Sequence, residues 1–309
     1  MRAIRQETLG GPDVLELVEV PRPTPPPTEV LVRTSAAGVN PVDWKVRARG
    51  GLIGEPPFTV GWDVAGVVEE VGYGVTTLSV GDRVFGMPRF PREAAAYAEY
   101  VTSPSRQLTR IPDELDDVEA GALPLAGLTA WQALVETAEV QPGQRVLVLG
   151  AAGGVGHLAV QIAKARGAYV IGTARAAKHA FLEQLGSDEA VDYTTDDVAD
   201  RVRDADVVLD TVGDDTAVGA LPAVRDDGVV VTLSGTALSS ILEAAAGRVR
   251  VTGILVEPDR KGLEALAELA SAGALRPHLS HTFPLAEAAR AHELGETGRT
   301  QGKLVLTVG

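Results

Sequence analysis

The run Arg145-Val-Leu-Val-Leu149 ends in Gly150, and Gly153, Gly154, Val155 and Gly156 follow before a helical pattern from His157 to Arg166. A buried strand entering a glycine-rich turn and then a helix is the local chemistry of a dinucleotide site. The first glycine permits the tight turn, the next lets backbone approach a pyrophosphate, and the last lets helix pack closely on strand. The helix N-terminus adds N–H groups and a positive dipole end. A glycine-rich turn with no ligand is the competing reading, and the strand–turn–helix context argues against it.

The next strand, Tyr169-Val-Ile-Gly-Thr173, decides which dinucleotide is expected. A ribose 2′-hydroxyl is normally held by an acid at the end of this strand. Here Ala174, Arg175, Ala176, Ala177 and Lys178 follow, with no Asp or Glu among them. Arg175 and Lys178 are candidates for a 2′-phosphate, so NADPH is the expected cofactor. Alternatively they are surface charges at a helix start, an arrangement that the helix dipole disfavours. Tyr193, at the end of the third strand, either meets the adenosine end or packs.

Other chemistries are excluded or left without support. The sequence has no cysteine, which rules out disulfides and thiolate metal ligands. The five histidines, His157, His179, His278, His281 and His292, show no metal-ligand spacing. The last four are expected on helix surfaces or late connections. No metal is expected.

These residues need elements to position them. Up to about residue 120 the chain reads as β-rich, with strands at Val14 to Val20, Val30 to Thr34, Val64 to Val71, a turn-and-strand at Gly81 to Phe85, and Tyr97 to Val101. From residue 123 short apolar strands alternate with helical periods, as in βαβ crossovers of a parallel sheet. Its strands are expected at Arg145 to Leu149, Tyr169 to Thr173, Ala190 to Tyr193, Val207 to Thr211, Gly228 to Leu233 and Val249 to Val256. Helices at Ala126 to Val135, Ala177 to Leu185, Gly262 to Ala272 and Ala286 to Leu294, and a strand at Lys303 to Val308, complete the reading. The tail is expected to return to the first lobe. The domains are therefore 1–122 with 257–309 for substrate and 123–256 for the dinucleotide.

The 309 residues suit two lobes, and 45% hydrophobic content suits a sizeable core. A formal net charge of -14 argues against nucleic acid as partner. No stretch reaches membrane-span length, and Met1 to Gly11 lacks the apolar core of a secretory signal. A cytoplasmic protein is expected.

The chain resembles the quinone oxidoreductase and zeta-crystallin branch of the medium-chain dehydrogenase/reductase superfamily, and within it an enone oxidoreductase-like sub-branch. The matching motifs are Ala37 to Trp44 (AGVNPVDW), Gly61 to Val68 (GWDVAGVV), Val80 to Val84 (VGDRV), Ala98 to Val101 (AEYV) and Gly127 to Trp131 (GLTAW), then the glycine-rich turn, Asp210 to Gly213 (DTVG) and Gly302 to Leu306 (GKLVL). They occur in family order from end to end. The resemblance implies an α/β fold: a doubly wound Rossmann sheet with a GroES-like distorted β-barrel for substrate. It also implies hydride transfer from NADPH to a quinone or α,β-unsaturated carbonyl.

Zinc-dependent relatives place a cysteine at Asn40 and a histidine at Trp62, so the resemblance implies a zinc-independent enzyme. Without a Lewis acid, reducing an electron-poor double bond or quinone needs positioning, a hydride donor and a proton. By the same resemblance Asn40 should face the nicotinamide and the substrate carbonyl, and Thr129 the nicotinamide ribose or ring. Ser234 and Gly235 should line the nicotinamide pocket, and Lys303 should have a structural or cofactor-closing role. Lys45, Tyr97 and Tyr100 are candidate proton donors, with solvent the alternative. Tyr97 and Tyr100 are expected to share one strand face. Asp43 and Asp63 are either buried ion-pair partners or catalysts. A dedicated biosynthetic reductase or cyclase, or an NADPH-binding protein with little turnover, are the alternatives. A homodimer through the edge strand Val249 to Val256 is a family-level expectation.

Overall fold

The early β-branched runs do become strands. The computed structural model describes every residue except Asp214, in two units: Met1–Leu128 with Glu257–Gly309, and Thr129–Val256. The first division falls inside a helix, later than the expected break after residue 122, because that helix runs on from the β-rich unit.

In the first unit, β1 (Arg2–Arg5) pairs antiparallel with β2 (Glu16–Glu19). The long β3 (Glu29–Val39) leads into helix α1 (Pro41–Arg49). Strands β4 (Val64–Val71), β5 (Arg83–Gly86), β6 (Tyr100–Pro104) and β7 (Leu108–Arg110) follow, then α2 (Asp117–Ala122) and α3 (Pro124–Trp131). Helix α1 was not expected. Its buried positions are Asp43, Val46 and Arg47, so the usual apolar stripe is missing. Asn40 in extended conformation caps it and Pro41 opens it.

The second unit alternates β8 (Arg145–Leu149), α4 (Gly156–Ala165), β9 (Tyr169–Thr173), α5 (His179–Gln184), β10 (Glu189–Val191) and α6 (Val198–Arg201). It continues with β11 (Ala205–Asp210), α7 (Thr216–Ala220), β12 (Val224–Thr232), α8 (Leu238–Ala245) and β13 (Arg250–Gly253). All neighbours pair parallel, in the order β10-β9-β8-β11-β12-β13. This is the doubly wound Rossmann order, with its switch point between β8 and β11. The apolar residues of these strands, among them Leu147, Ile171, Val208 and Val230, form one buried core with α7 and α8.

The chain then re-enters the first unit through α9 (Arg260–Ser271), β14 (Leu279–Pro284), α10 (Ala288–Glu296) and β15 (Lys303–Thr307). Strand β15 pairs antiparallel with β3 in a sheet ordered β14-β15-β3-β4-β5-β7, and β6 pairs β3 as well. The register sets Leu304 opposite Val39 and so brings Lys303 beside Asn40. Val30, Val32, Val64, Val68 and Leu108 fill the interior of this sheet.

Candidate active site

In the first unit the residues around Asn40 form a buried polar cluster. Asn40 is 2% exposed, and Asp43, Asp63, Tyr97 and His292 are fully buried. Lys303 Nζ donates to Asn40 Oδ1, to the Val39 carbonyl at 3.1 Å and to Asp63 Oδ2 at 3.4 Å. An ammonium only donates, so this contact fixes the Asn40 amide with oxygen toward Lys303. Nδ2 then donates to Asp63 Oδ2 at 2.8 Å. Asp63 Oδ1 accepts the Leu125 backbone N–H at 2.7 Å. An amide has two N–H bonds and Asp63 takes one; the other makes no bond among the described residues.

Below the amide, the Asn40 backbone N–H donates to Asp43 Oδ2 at 2.6 Å, and the Tyr97 hydroxyl donates to the same oxygen at 3.0 Å. Burial pushes the Asp43 carboxyl up to about 7; nearby Asp63 adds to this, while the Asn40 and Tyr97 hydrogen bonds oppose it. Burial, then the Asp43 charge, hold the Tyr97 hydroxyl well above its ordinary value. Behind Tyr97 stand His292, with Nε2 at 3.1 Å, and Arg47, which lies 3.2 Å from His292 Nδ1 and pairs with Glu296 at 2.8 Å.

Two expectations change here, and one residue is new. His292 is not on a helix surface. It lies with Ala288, Ala291 and Gly295 on the buried side of α10, a spacing of three and four residues that was readable in the sequence. Tyr97 and Tyr100 do not share a strand face. β6 begins only at Tyr100, whose half-buried ring carries the Arg22 guanidinium at 4.3 Å, whereas Tyr97 is buried with its O–H committed to Asp43. Arg47 was not anticipated at all; its helical spacing of four from Asp43 was the available signal. Lys45 is exposed on α1.

Trp62 is fully buried, its indole N–H donating to the Arg92 carbonyl at 2.7 Å and its ring edge-on to Phe90. Indole nitrogen offers no lone pair to a metal, and the Asn40 oxygen is already held by Lys303. These two side chains therefore do not fit a zinc ion. Among the described residues no group of three His, Cys, Asp or Glu could hold a metal.

In the second unit, β8 ends at the expected turn. Gly150 has φ +72°, a left-handed value glycine adopts freely, and its N–H donates to Thr173 Oγ1 at 3.0 Å. Gly153, Gly154 and Val155 are half-buried along the turn. A Cβ on Gly156 would stand 2.3 Å from the Gly150 carbonyl oxygen and 2.7 Å from Ala151 Cα, so only glycine lets α4 start this close to the strand. The Thr211 hydroxyl donates to the Leu149 carbonyl at 2.8 Å and links the ends of β8 and β11, the switch point. Asp210 Oδ1 accepts the N–H groups of Val212 and Gly213, and Oδ2 the Thr232 hydroxyl. Ser234, half-buried, and Gly235, exposed, follow β12 on the same edge, and Thr129 is buried in α3.

At the end of β9 the exposed Arg175 donates through Nε to the Tyr193 hydroxyl at 3.3 Å. The three-residue turn Ala176–Lys178 precedes α5, which therefore starts later than expected. Burial and the neighbouring Arg175 charge lower the Lys178 ammonium. Two like charges held near each other beside a half-exposed tyrosine suit an anion. Asp192, next to Tyr193, accepts the Ala176 N–H at 2.9 Å and so pins the turn that carries them.

Comparison with known proteins agrees with both halves. Residues 26–113 match the family profile described as Alcohol dehydrogenase GroES-like domain, and residues 185–306 the one described as Zinc-binding dehydrogenase. A 2-haloacrylate reductase from a Burkholderia species is 36% identical over 324 residues, covering 96% of each chain. The solved quinone oxidoreductase of Coxiella burnetii is 37% identical with a TM-score of 0.95, covering 100% of this chain and 99% of that one. The Escherichia coli quinone oxidoreductase solved with NADPH is 30% identical with a TM-score of 0.87, covering 99% of this chain and 100% of that one. With its Rossmann order, its GroES-like unit and these full-length likenesses, the chain is an oxidoreductase enzyme of the medium-chain dehydrogenase/reductase superfamily and belongs to its quinone oxidoreductase branch.

Proposed function

We propose that the protein is a zinc-independent, NADPH-dependent reductase of quinones or α,β-unsaturated carbonyls. One observation carries this reading: both positions where zinc-dependent relatives hold the metal have side chains committed inside the fold, Asn40 to Lys303 and Asp63, and Trp62 to the Arg92 carbonyl. Alcohol oxidation then lacks its Lewis acid, while an already electron-poor acceptor needs none. The Burkholderia 2-haloacrylate reductase and the Coxiella quinone oxidoreductase span the same two acceptor types.

The residues of the second unit fit the cofactor. The glycine-rich turn and the start of α4 cradle the pyrophosphate, as the absence of room for a Gly156 Cβ supports. Arg175, Lys178 and Tyr193 receive the 2′-phosphate, and the NADPH in the Escherichia coli relative favours that cofactor. Thr129, Ser234 and Gly235 contact the nicotinamide half. When bound, NADPH supplies the hydride. Asn40 offers its remaining amide N–H to the acceptor carbonyl, where negative charge develops, and Lys303 holds the amide in that orientation. Tyr97 has its O–H engaged with Asp43, so the proton comes from solvent or from the exposed Lys45. The protein is read as a homodimer joined through β13, the edge of the parallel sheet, which sedimentation tests.

A screen of NADPH against NADH with a panel of quinones and enones tests the proposal. We expect NADPH-driven reduction of at least one acceptor class at a rate unchanged by chelators. Tight NADPH binding without reduction of any acceptor would favour a binding protein instead, and turnover of a single specialised enone would favour a biosynthetic reductase.

A further inference from the structure

Four buried ionisable side chains stand behind Asn40 with no part in that chemistry: Asp43, Tyr97, His292 and Arg47. Their hydrogen bonds have a direction. Arg47 only donates, so His292 Nδ1, 3.2 Å from its guanidinium, is the acceptor. A ring that accepts at Nδ1 is neutral and carries its proton on Nε2. That N–H points at the Tyr97 oxygen, 3.1 Å away, and the Tyr97 O–H in turn donates to Asp43 Oδ2 at 3.0 Å. The same oxygen takes the Asn40 N–H, and Asp43 Oδ1 is buried with no partner among the described residues.

The charges around the chain leave Asp43 without a counter-ion of its own. Lys303, on β15, is bonded to Asp63 and Asn40, and Arg47, on α1 with Asp43, is paired with Glu296. Asp63 adds a like charge, and Tyr97 faces Asp43 as a neutral donor, with the neutral His292 behind it on the Tyr97 oxygen. A buried carboxyl so placed is favoured as the neutral acid, its proton on the unpartnered Oδ1.

We propose that His292, Tyr97 and Asp43 form one proton-sharing chain that positions the Asn40 turn, holding on Asp43 the single proton that the unfolded chain would hold on His292. The positioning role rests on the proposed function, through Asn40; the proton sharing does not. Burial holds Asp43 at about 7 against 3.8 when unfolded, and burial with the Arg47 charge presses His292 to about 3 from 6.5. Between pH 4 and 6.5 the folded pair therefore carries one proton on Asp43, and the unfolded pair one on His292. The counts match, so in the native protein the two contributions to the pH dependence of stability cancel. Each single variant exposes the other half. In His292→Gln the folded state alone retains a proton, and stability falls as pH rises through this window. In Asp43→Asn the unfolded state alone binds one, and stability falls as pH drops through it.

Unfolding of the full-length protein and the two variants, measured by urea titration from pH 4.5 to 6.5, tests this. Relative to wild type, the unfolding constant should rise about tenfold per pH unit in His292→Gln and fall about tenfold per unit in Asp43→Asn. Parallel slopes in all three proteins would overturn the proposal. Nitrogen NMR of histidine-labelled wild type, which needs no variant to fold, should show one ring neutral and protonated on Nε2 at pH 5; an imidazolium for His292 would equally overturn it. For the positioning role, Tyr97→Phe should lower kcat about tenfold or more with the NADPH KM within about twofold. An unchanged kcat would remove that role. If wild type reduces no acceptor, the functional reading fails while the unfolding slopes still decide the shared proton.

Discussion

Around Asn40, the carboxylates, amide, ammonium and phenol that could act are buried and bonded mainly to one another, each fixed by a neighbour from a different element. Around Gly156 and Arg175 the polar groups stay open: the glycine turn is half-buried, Arg175 and Tyr193 are exposed, and Lys178 is partly so. Under the proposed function, such a contrast follows from what each region would bind. A phosphate brings its own charge and can complete exposed cations on arrival, whereas an uncharged acceptor brings little binding energy and requires a donor already held in place. On that reading one region is preorganised, and the other would be finished by its ligand.

The largest effect should come from breaking the closed region. In Lys303→Met the Asp63 carboxylate is left buried without its cation and Asn40 Oδ1 without its donor, which costs about 3–5 kcal/mol. Urea unfolding measures this, and adding Asp63→Asn should return part of the loss. Wild-type stability in Lys303→Met would mean that the cluster is not held together as described. Gly156→Ala should cost less, about 1–3 kcal/mol, because backbone at Gly150 and Ala151 must move to admit the methyl group. It should weaken NADPH and NADH alike, since both share the pyrophosphate. An effect on one cofactor only would place Gly156 away from it.

The open region was also the more legible in the sequence. Its information is local: strand, turn and helix lie within Arg145 to Arg166, and the glycines have backbone tasks that no other residue performs. The missing acid after Thr173 is equally local. The cluster around Asn40 is not. Lys303 reaches Asn40 only through the β15–β3 register, and His292 reaches Asp43 through Tyr97, so the connections span most of the chain. Asp43 and Asp63 could be picked out as buried or catalytic, but their partners could not. Helix α1 hid for the same reason, since its buried face is carried by Asp43 and Arg47 rather than an apolar stripe.

The smallest effect is the most selective. Arg175→Ala combined with Lys178→Ala removes an exposed guanidinium bonded to the half-exposed Tyr193 and the partly buried ammonium near it. Stability should change by about 1 kcal/mol or less. A charge-assisted contact to phosphate is worth about 1.5–3 kcal/mol, so NADPH affinity should fall roughly ten- to hundredfold. NADH, with a hydroxyl at that position, should be held within about twofold of wild type. Titrating both cofactors by fluorescence separates the cases. Equal weakening of both would show that the cations serve the turn rather than the 2′-phosphate, and no weakening would make them ordinary surface charge. In either event the second unit would keep its dinucleotide site but lose its claim to be completed by a phosphate, and the contrast with the Asn40 cluster would shrink to one of burial alone.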